Sequence, residues 1–220
     1  MKKSNPSLPI DALDFLVKTL QEADFECQKL LLQDPNEDSD AEDTYYLEVQ
    51  LDEDDDGHPF HLYLMWIDDL FSVVNGESVL NGDDLDEDDI EGRLYVLAFS
   101  IGFPQLPAPV NEGEYLKAIM MMNGVMPLGR FHYNPEEKVT VLRYEYPNVK
   151  KEIDSQLLLN IVDLLQIHVM EFFAPLLQIA QGEKTVADFA NTETEMSKNE
   201  WAQLADELFG LGGQDEEEGE

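Results

Sequence analysis

The sequence LGRFHYNPEEKVTVLRYEYP, at residues 128–147, has the pattern of a β-hairpin. Its two ends are rich in aromatic and β-branched residues, which favour extended strands. Asn134 and Pro135 lie between them, and both are common in tight turns because Pro presets φ and Asn bonds to nearby backbone. We therefore predict two antiparallel strands joined by this turn, at residues 128–133 and 139–146.

A long apolar helix is predicted directly after the hairpin, at residues 153–180. Its apolar residues recur three and four positions apart, the spacing that places side chains on one helix face. Leu157, Leu164 and Ile167 widen this face beyond what one sheet surface covers. We therefore expect part of the helix to pack on a second element or on another subunit.

Three more strands are predicted before the hairpin. Apolar and polar residues alternate at residues 44–51, as is typical of a half-buried strand. Residues 60–67 and 94–101 are apolar at almost every position, which suits the interior of a sheet. The prediction is thus about five strands in all.

Two further helices are predicted from their capping residues. Asp11 precedes an amphipathic segment, and Asn111 with Glu114 three residues later has the spacing of a capping box. Residues 25–32 are ambiguous: we expect them to extend the first helix, with a short strand as the alternative.

The element order, together with the sequences PLGRFHYNPE at 127–136 and RYEYP at 143–147, resembles the YbjN-like family of bacterial sensory transduction regulators. That family is similar in fold to the type III secretion chaperones of the Tir type, and the resemblance covers about residues 11–180. It implies an α+β domain with a curved antiparallel sheet of about five strands and helices packed on it, in the order α-β-β-β-α-β-β-α. It further implies a homodimer without a catalytic site that binds another polypeptide as a chaperone, adaptor or regulator.

We assign residues 1–182 to this secretion-chaperone-like domain, with acidic loops at 34–43 and 68–92. Residues 183–220 are predicted to form a helical tail that ends in acidic low-complexity sequence.

The net charge is −35, from 48 acidic and 13 basic side chains. Half of the acidic residues fall in three runs without Lys or Arg, at 34–56, 83–91 and 215–220. The electrostatic field of a protein with this net charge repels nucleic acid and anionic membranes and attracts basic partners. It is most simply explained by solubility or by adaptation to salt, and an acidic mimic that antagonises a basic or nucleic-acid-binding protein is the alternative function.

The cellular location is predicted from what the sequence lacks. Cys27 is the one cysteine, so no intrachain disulfide is expected. The N-terminal residues have no apolar signal-peptide core, and no uninterrupted apolar run approaches the ~18 residues of a membrane span. These features predict a cytoplasmic protein without a membrane segment.

One acidic turn has the opening of a calcium loop. Asp52, Asp54 and Asp56 alternate and Gly57 takes the sixth position, but the twelfth is Tyr63 rather than a bidentate Glu. Strands flank it where an EF-hand has helices, so we interpret it as a solvated turn and predict no metal site.

Catalytic chemistry is not predicted either. His58 and His61 are three residues apart on an extended segment, which puts them on opposite faces. His168 lies on the apolar helix and is interpreted as a buried imidazole, and Cys27 has no basic neighbour that would activate it except Lys29. We expect a protein that is not an enzyme and has no cofactor.

Two sets of side chains are candidates for contact with another polypeptide. The first is a methionine cluster whose thioethers adapt to varied apolar partners or fill a core or dimer interface: Met120, Met121, Met122 and Met126. The second is the apolar face of a predicted tail helix: Trp201, Leu204, Leu208 and Phe209.

Overall fold

The computed structural model describes residues 12–32, 44–54, 57–68 and 95–191. Its six strands are β1 Cys27–Leu32, β2 Thr44–Glu53, β3 Pro59–Asp68, β4 Tyr95–Gly102, β5 Arg130–Asn134 and β6 Val139–Asn148. Its four helices are α1 Ala12–Glu22, α2 Glu112–Val125, α3 Ser155–Ala180 and α4 Val186–Asn191. The loop at 34–43, most of 68–92 and residues 192–220 lie outside the described ranges.

All six strands belong to one open antiparallel sheet in the order β1-β2-β3-β4-β6-β5. The α+β class and the hairpin are thus confirmed, the hairpin as β5 and β6. The two segments that are apolar on both sides, β3 and β4, are the central pair, as their composition predicts.

The count of five strands is wrong, because residues 25–32 contain a sixth strand rather than an extension of α1. The helix ends at Glu22, and Asp24 takes a positive φ of 65° that reverses the chain. β1 then pairs antiparallel with β2, with Cys27 opposite Val49. Pairing with β2 outweighs the helix propensity of the leucines in this segment.

Every described helix packs on the same face of the sheet, here called the inner face. Alternate strand residues such as Leu47, Leu64 and Phe99 point to this face and are almost fully buried. Aromatic contacts join it to α3: the rings of Phe60 and Phe173 lie 5.0 Å apart in an edge-on arrangement. The core therefore lies between the sheet and the helices.

Helix α3 runs through the middle of this core. Asp154 caps it, since its carboxylate accepts hydrogen bonds from the backbone N–H groups of Gln156 and Leu157 at 2.9 and 3.1 Å. The sheet covers one side of α3, while α1 and α2 contact its other sides. The second element expected against this helix is thus supplied by the same chain.

Among the described residues, α3 is the one helix long and apolar enough to cross a membrane. Of its most apolar 18-residue window, 56% is buried inside the protein, as in the core helix of a soluble protein.

Helices α2 and α4 close one end of the core. Asn111 caps α2 by accepting from the N–H of Glu114 at 3.2 Å, as the capping-box spacing predicts. The carboxylate of Glu114 does not return to Asn111 but accepts from the N–H of Val186 in the approach to α4, at 3.2 Å. Phe189 of α4 is buried in the core, so the chain beyond residue 182 begins as part of the folded domain.

Candidate functional site

The face of the sheet opposite the helices, here called the outer face, carries no helix in the part of the chain that the structure describes. Its residues alternate with the buried core positions along each strand, and one of them, Val96 of β4 opposite Ile67, is itself only 1% exposed. Five of them form a mainly apolar set across the strands β2, β3 and β4, which we call the outer patch: Tyr46, Tyr63, Met65, Ile67 and Ala98.

Two tyrosines form the most aromatic part of the outer patch. The rings of Tyr46 and Tyr63 lie 5.9 Å apart in a tilted arrangement, and Tyr63 is 37% exposed. Burial, and then the carboxylate of Glu48 opposite it, raise the pKa of Tyr63 above its ordinary value. A side-chain hydrogen bond to Glu48 contributes to the raised pKa, so the Tyr63 hydroxyl is un-ionised at neutral pH and already has an acceptor on β2.

A polar rim borders the outer patch on the β1 side. Glu48 accepts a 2.6 Å hydrogen bond from the side-chain amide of Gln28. Its other oxygen lies 3.4 Å from Nδ1 of His61, a close contact without hydrogen-bond geometry. A groove of about 250 Å³ beside this rim is lined by Glu26, Cys27 and Gln50, among others.

Cys27 is unsuited to nucleophilic chemistry in this position. Its Sγ lies 3.7 Å from the backbone carbonyl of Val17, and burial raises the pKa of the thiol. A thiol with a raised pKa holds little thiolate at neutral pH, and the thiolate is the reactive form.

The methionine cluster does not form one surface. Met122 and Met126 are core residues, only 0% and 3% exposed, while Met120 is 73% and Met121 38% exposed. Leu116 lies one turn before Met120 and is also exposed, so these two residues form an apolar strip on α2. The second candidate set, Trp201, Leu204, Leu208 and Phe209, lies outside the described residues.

In the acidic turn between β2 and β3, Asp52 and Asp54 both accept hydrogen bonds from other residues of the chain. Asp54 Oδ1 accepts from the backbone N–H of His58 at 2.8 Å and lies 3.3 Å from its ring. Asp52 accepts from the side-chain amide of Gln166 on α3 at 2.6 Å. Within the described ranges, no three His, Cys, Asp or Glu side chains are grouped closely enough to hold a metal ion.

No protein-family model matches the chain, and neither does any curated protein sequence. The function is therefore inferred from the geometry of this chain, together with the resemblance of its residues 127–136 and 143–147 described above.

Sequence reasoning missed the outer patch because its residues are spread over three strands. The signal was present in the two strands that are apolar on both sides, since only one side of each can face the helices. Strand order was needed to place Tyr46 beside Tyr63.

Proposed function

We propose that the protein is a non-enzymatic, cytoplasmic polypeptide-binding protein, an adaptor or regulator of the type III secretion chaperone kind. The observation that carries this proposal is the placement of all described helices on the inner face, so that no helix of the described residues covers the apolar outer patch. Its resemblance to YbjN-like proteins supports the same function.

The composition of the outer patch suits recognition of another polypeptide. Tyrosine and methionine are enriched at protein interfaces, since tyrosine combines a large apolar ring with a polar hydroxyl and methionine adapts its shape. Tyr63 and Met65 provide both on one strand. The polar rim at Glu48 and Gln28 can hydrogen-bond to the edge of a bound chain.

The second candidate is an acidic mimic of nucleic acid, and the net charge of −35 favours it. Asp52 and Glu53 extend this charge to the exposed end of β2. The two functions differ in salt dependence, because contacts between exposed charges are screened and apolar contacts are not.

We also propose a homodimer, with the interface on α2 rather than on α3. The long helix is covered by its own chain, and its one large exposed apolar side chain among the described residues is Met170, at 45%. Leu116 and Met120 on α2 are the alternative surface, and they lie on the side away from the core.

Site-specific photo-crosslinking in cells tests the proposed function. A photoreactive phenylalanine analogue at Tyr63 should capture a polypeptide, whereas the same analogue at exposed Ala174 on α3 serves as the control. When the irradiation is instead carried out in lysates, capture should persist as NaCl is raised from about 50 to about 500 mM before exposure to light. Loss at high salt would favour the mimic, and equal labelling at Ala174 would contradict an outer-face site.

A further inference from the structure

Two arginines lie side by side at the β5–β6 end of the outer face. Arg130 and Arg143 are directly opposite in the ladder, with His132 two residues further along β5 on the same side. They line a groove of about 410 Å³ together with Pro127, Leu128 and Glu145. With only 13 basic residues in 220, this is an unusual concentration of positive charge.

The arrangement is unfavourable without a ligand. Side chains directly opposite on antiparallel strands have Cβ atoms about 5 Å apart, and like charges there repel each other. The guanidinium of Arg143 forms no ion pair with any side chain in the described ranges, although Glu145 is two residues away on the same side. No salt bridge within the described ranges therefore neutralises Arg143.

Arg130 is held in place by the turn that precedes β5. Its Nη1 donates to the carbonyl oxygens of Met126, at 2.9 Å, and Gly129. Within the described residues no acceptor lies on its Nη2 or Nε, and a guanidinium carries five N–H donors. The head group is therefore positioned before any ligand arrives, which lowers the entropic cost of binding.

We propose that this groove binds the phosphoryl group of a small phosphorylated ligand between Arg130 and Arg143. Two guanidinium groups offer more N–H donors than one carboxylate can accept, whereas a phosphoryl group has three acceptor oxygens and close to two negative charges. The groove exceeds the size of a phosphate ion and falls within the range of small-molecule sites. Pro127 and Leu128 form an apolar wall for the rest of the ligand.

The test titrates the full-length protein with inorganic phosphate and with phenyl phosphate at constant ionic strength, following 31P NMR line broadening. Both should bind saturably, and phenyl phosphate should bind more tightly because its ring contacts the apolar wall. Arg143→Gln should weaken binding by at least about tenfold, since it removes charge-assisted hydrogen bonds. Glu145→Gln should strengthen binding by roughly threefold, because it removes a like charge beside the phosphoryl group.

Lys150→Gln is the matched control, since Lys150 is an exposed cation outside the groove. Both Arg143 and Lys150 are exposed, so circular dichroism should show an unchanged fold in each variant. Absence of saturable binding, or an equal loss in Lys150→Gln, would overturn the proposal. This site is separate from the outer patch, so peptide capture at Tyr63 can succeed or fail independently of it.

Discussion

A buried histidine on α3 links the protein's stability to pH. His168 is fully buried, with its ring 6.4 Å from that of Phe172. Burial, and secondarily the positive charge of Arg130, lower the pKa of His168 to about 3. The imidazole is therefore neutral in the folded protein and becomes protonated on unfolding at mildly acidic pH.

The first prediction concerns the protonation of His168 on unfolding. Stability from the neutral His168 is full above pH 6.5, its unfolded pKa, and is lost as pH falls towards 3. His168→Leu removes this titratable group. The free energy of unfolding of the variant, relative to that of wild type, should therefore rise by about 1.4 kcal/mol for each unit by which the pH is lowered, from about pH 5.5 to about pH 4. Urea denaturation at several pH values measures this, and a pH-independent difference would contradict it.

The second prediction compares two glycines near the hairpin. Gly129 has φ of +74°, and an added Cβ would lie 3.0 Å from Leu165 Cδ2, whereas Gly124 in α2 has no atom within 4 Å of that position. Gly129→Ala should destabilise by at least about 1–2 kcal/mol, because a left-handed backbone disfavours a side chain. Gly124→Ala should stabilise by roughly 0.5–1 kcal/mol by favouring the helix. Thermal unfolding should show a lower melting temperature than wild type for Gly129→Ala and a higher one for Gly124→Ala.

At the scale of elements, the sheet edge at β5 is closed by a side chain of α2. Asn123 accepts from the N–H of Phe131 at 2.7 Å and donates to its carbonyl at 2.9 Å. The amide thus takes the place of a neighbouring strand at this residue. A nearby contact also joins α2 to the sheet, since the hydroxyls of Tyr115 and Thr140 lie 2.7 Å apart in the core.

The third prediction follows from this edge contact. Asn123→Ala leaves the Phe131 N–H and C=O without their partner and should cost about 1–3 kcal/mol. Met121→Ala on the same helix is the control and should change stability by less than about 0.5 kcal/mol, because Met121 is exposed. Equal stabilities for the two variants in denaturant titrations would show that Asn123 does not hold the edge.

Elements with a strong local pattern were predictable from sequence, and the ambiguous one was not. The turn residues Asn134 and Pro135 identified the hairpin, and the three- and four-residue spacing identified α3. β1 was assigned to a helix because its preference for a strand comes from pairing with β2, which lies beyond a loop in the sequence. The residues of a strand therefore give little indication of pairing with a segment that is distant in the sequence.

At the scale of the whole molecule, the candidate surfaces could be predicted only in part. Exposure of Met120 and burial of Met122 depend on which side of α2 faces the core, and adjacent methionines gave no periodic pattern to decide it. The arginine pair required the β5–β6 register, which puts Arg130 opposite Arg143. Strand pairing, rather than composition, therefore defines both the outer patch and the groove.

The fourth prediction is the oligomeric state. Light scattering should give twice the 25.1 kDa chain mass at about 50 µM, because Leu116 and Met120 would be covered by a second subunit. Leu116→Glu with Met120→Glu should yield 25.1 kDa, while Met170→Glu on α3 should leave the dimer intact. A 25.1 kDa species for the unmodified chain would contradict the dimer.

Polypeptide binding on the outer face is tested most directly by calorimetry with the polypeptide captured at Tyr63. Tyr63→Ser with Met65→Ser should lower its affinity by at least about tenfold at both low and high salt, since central aromatic contacts carry much of the binding energy. Val149→Ser, at a residue 69% exposed and outside the outer patch, should leave the affinity unchanged. Equal affinity for wild type and the double variant would contradict polypeptide binding on the outer face.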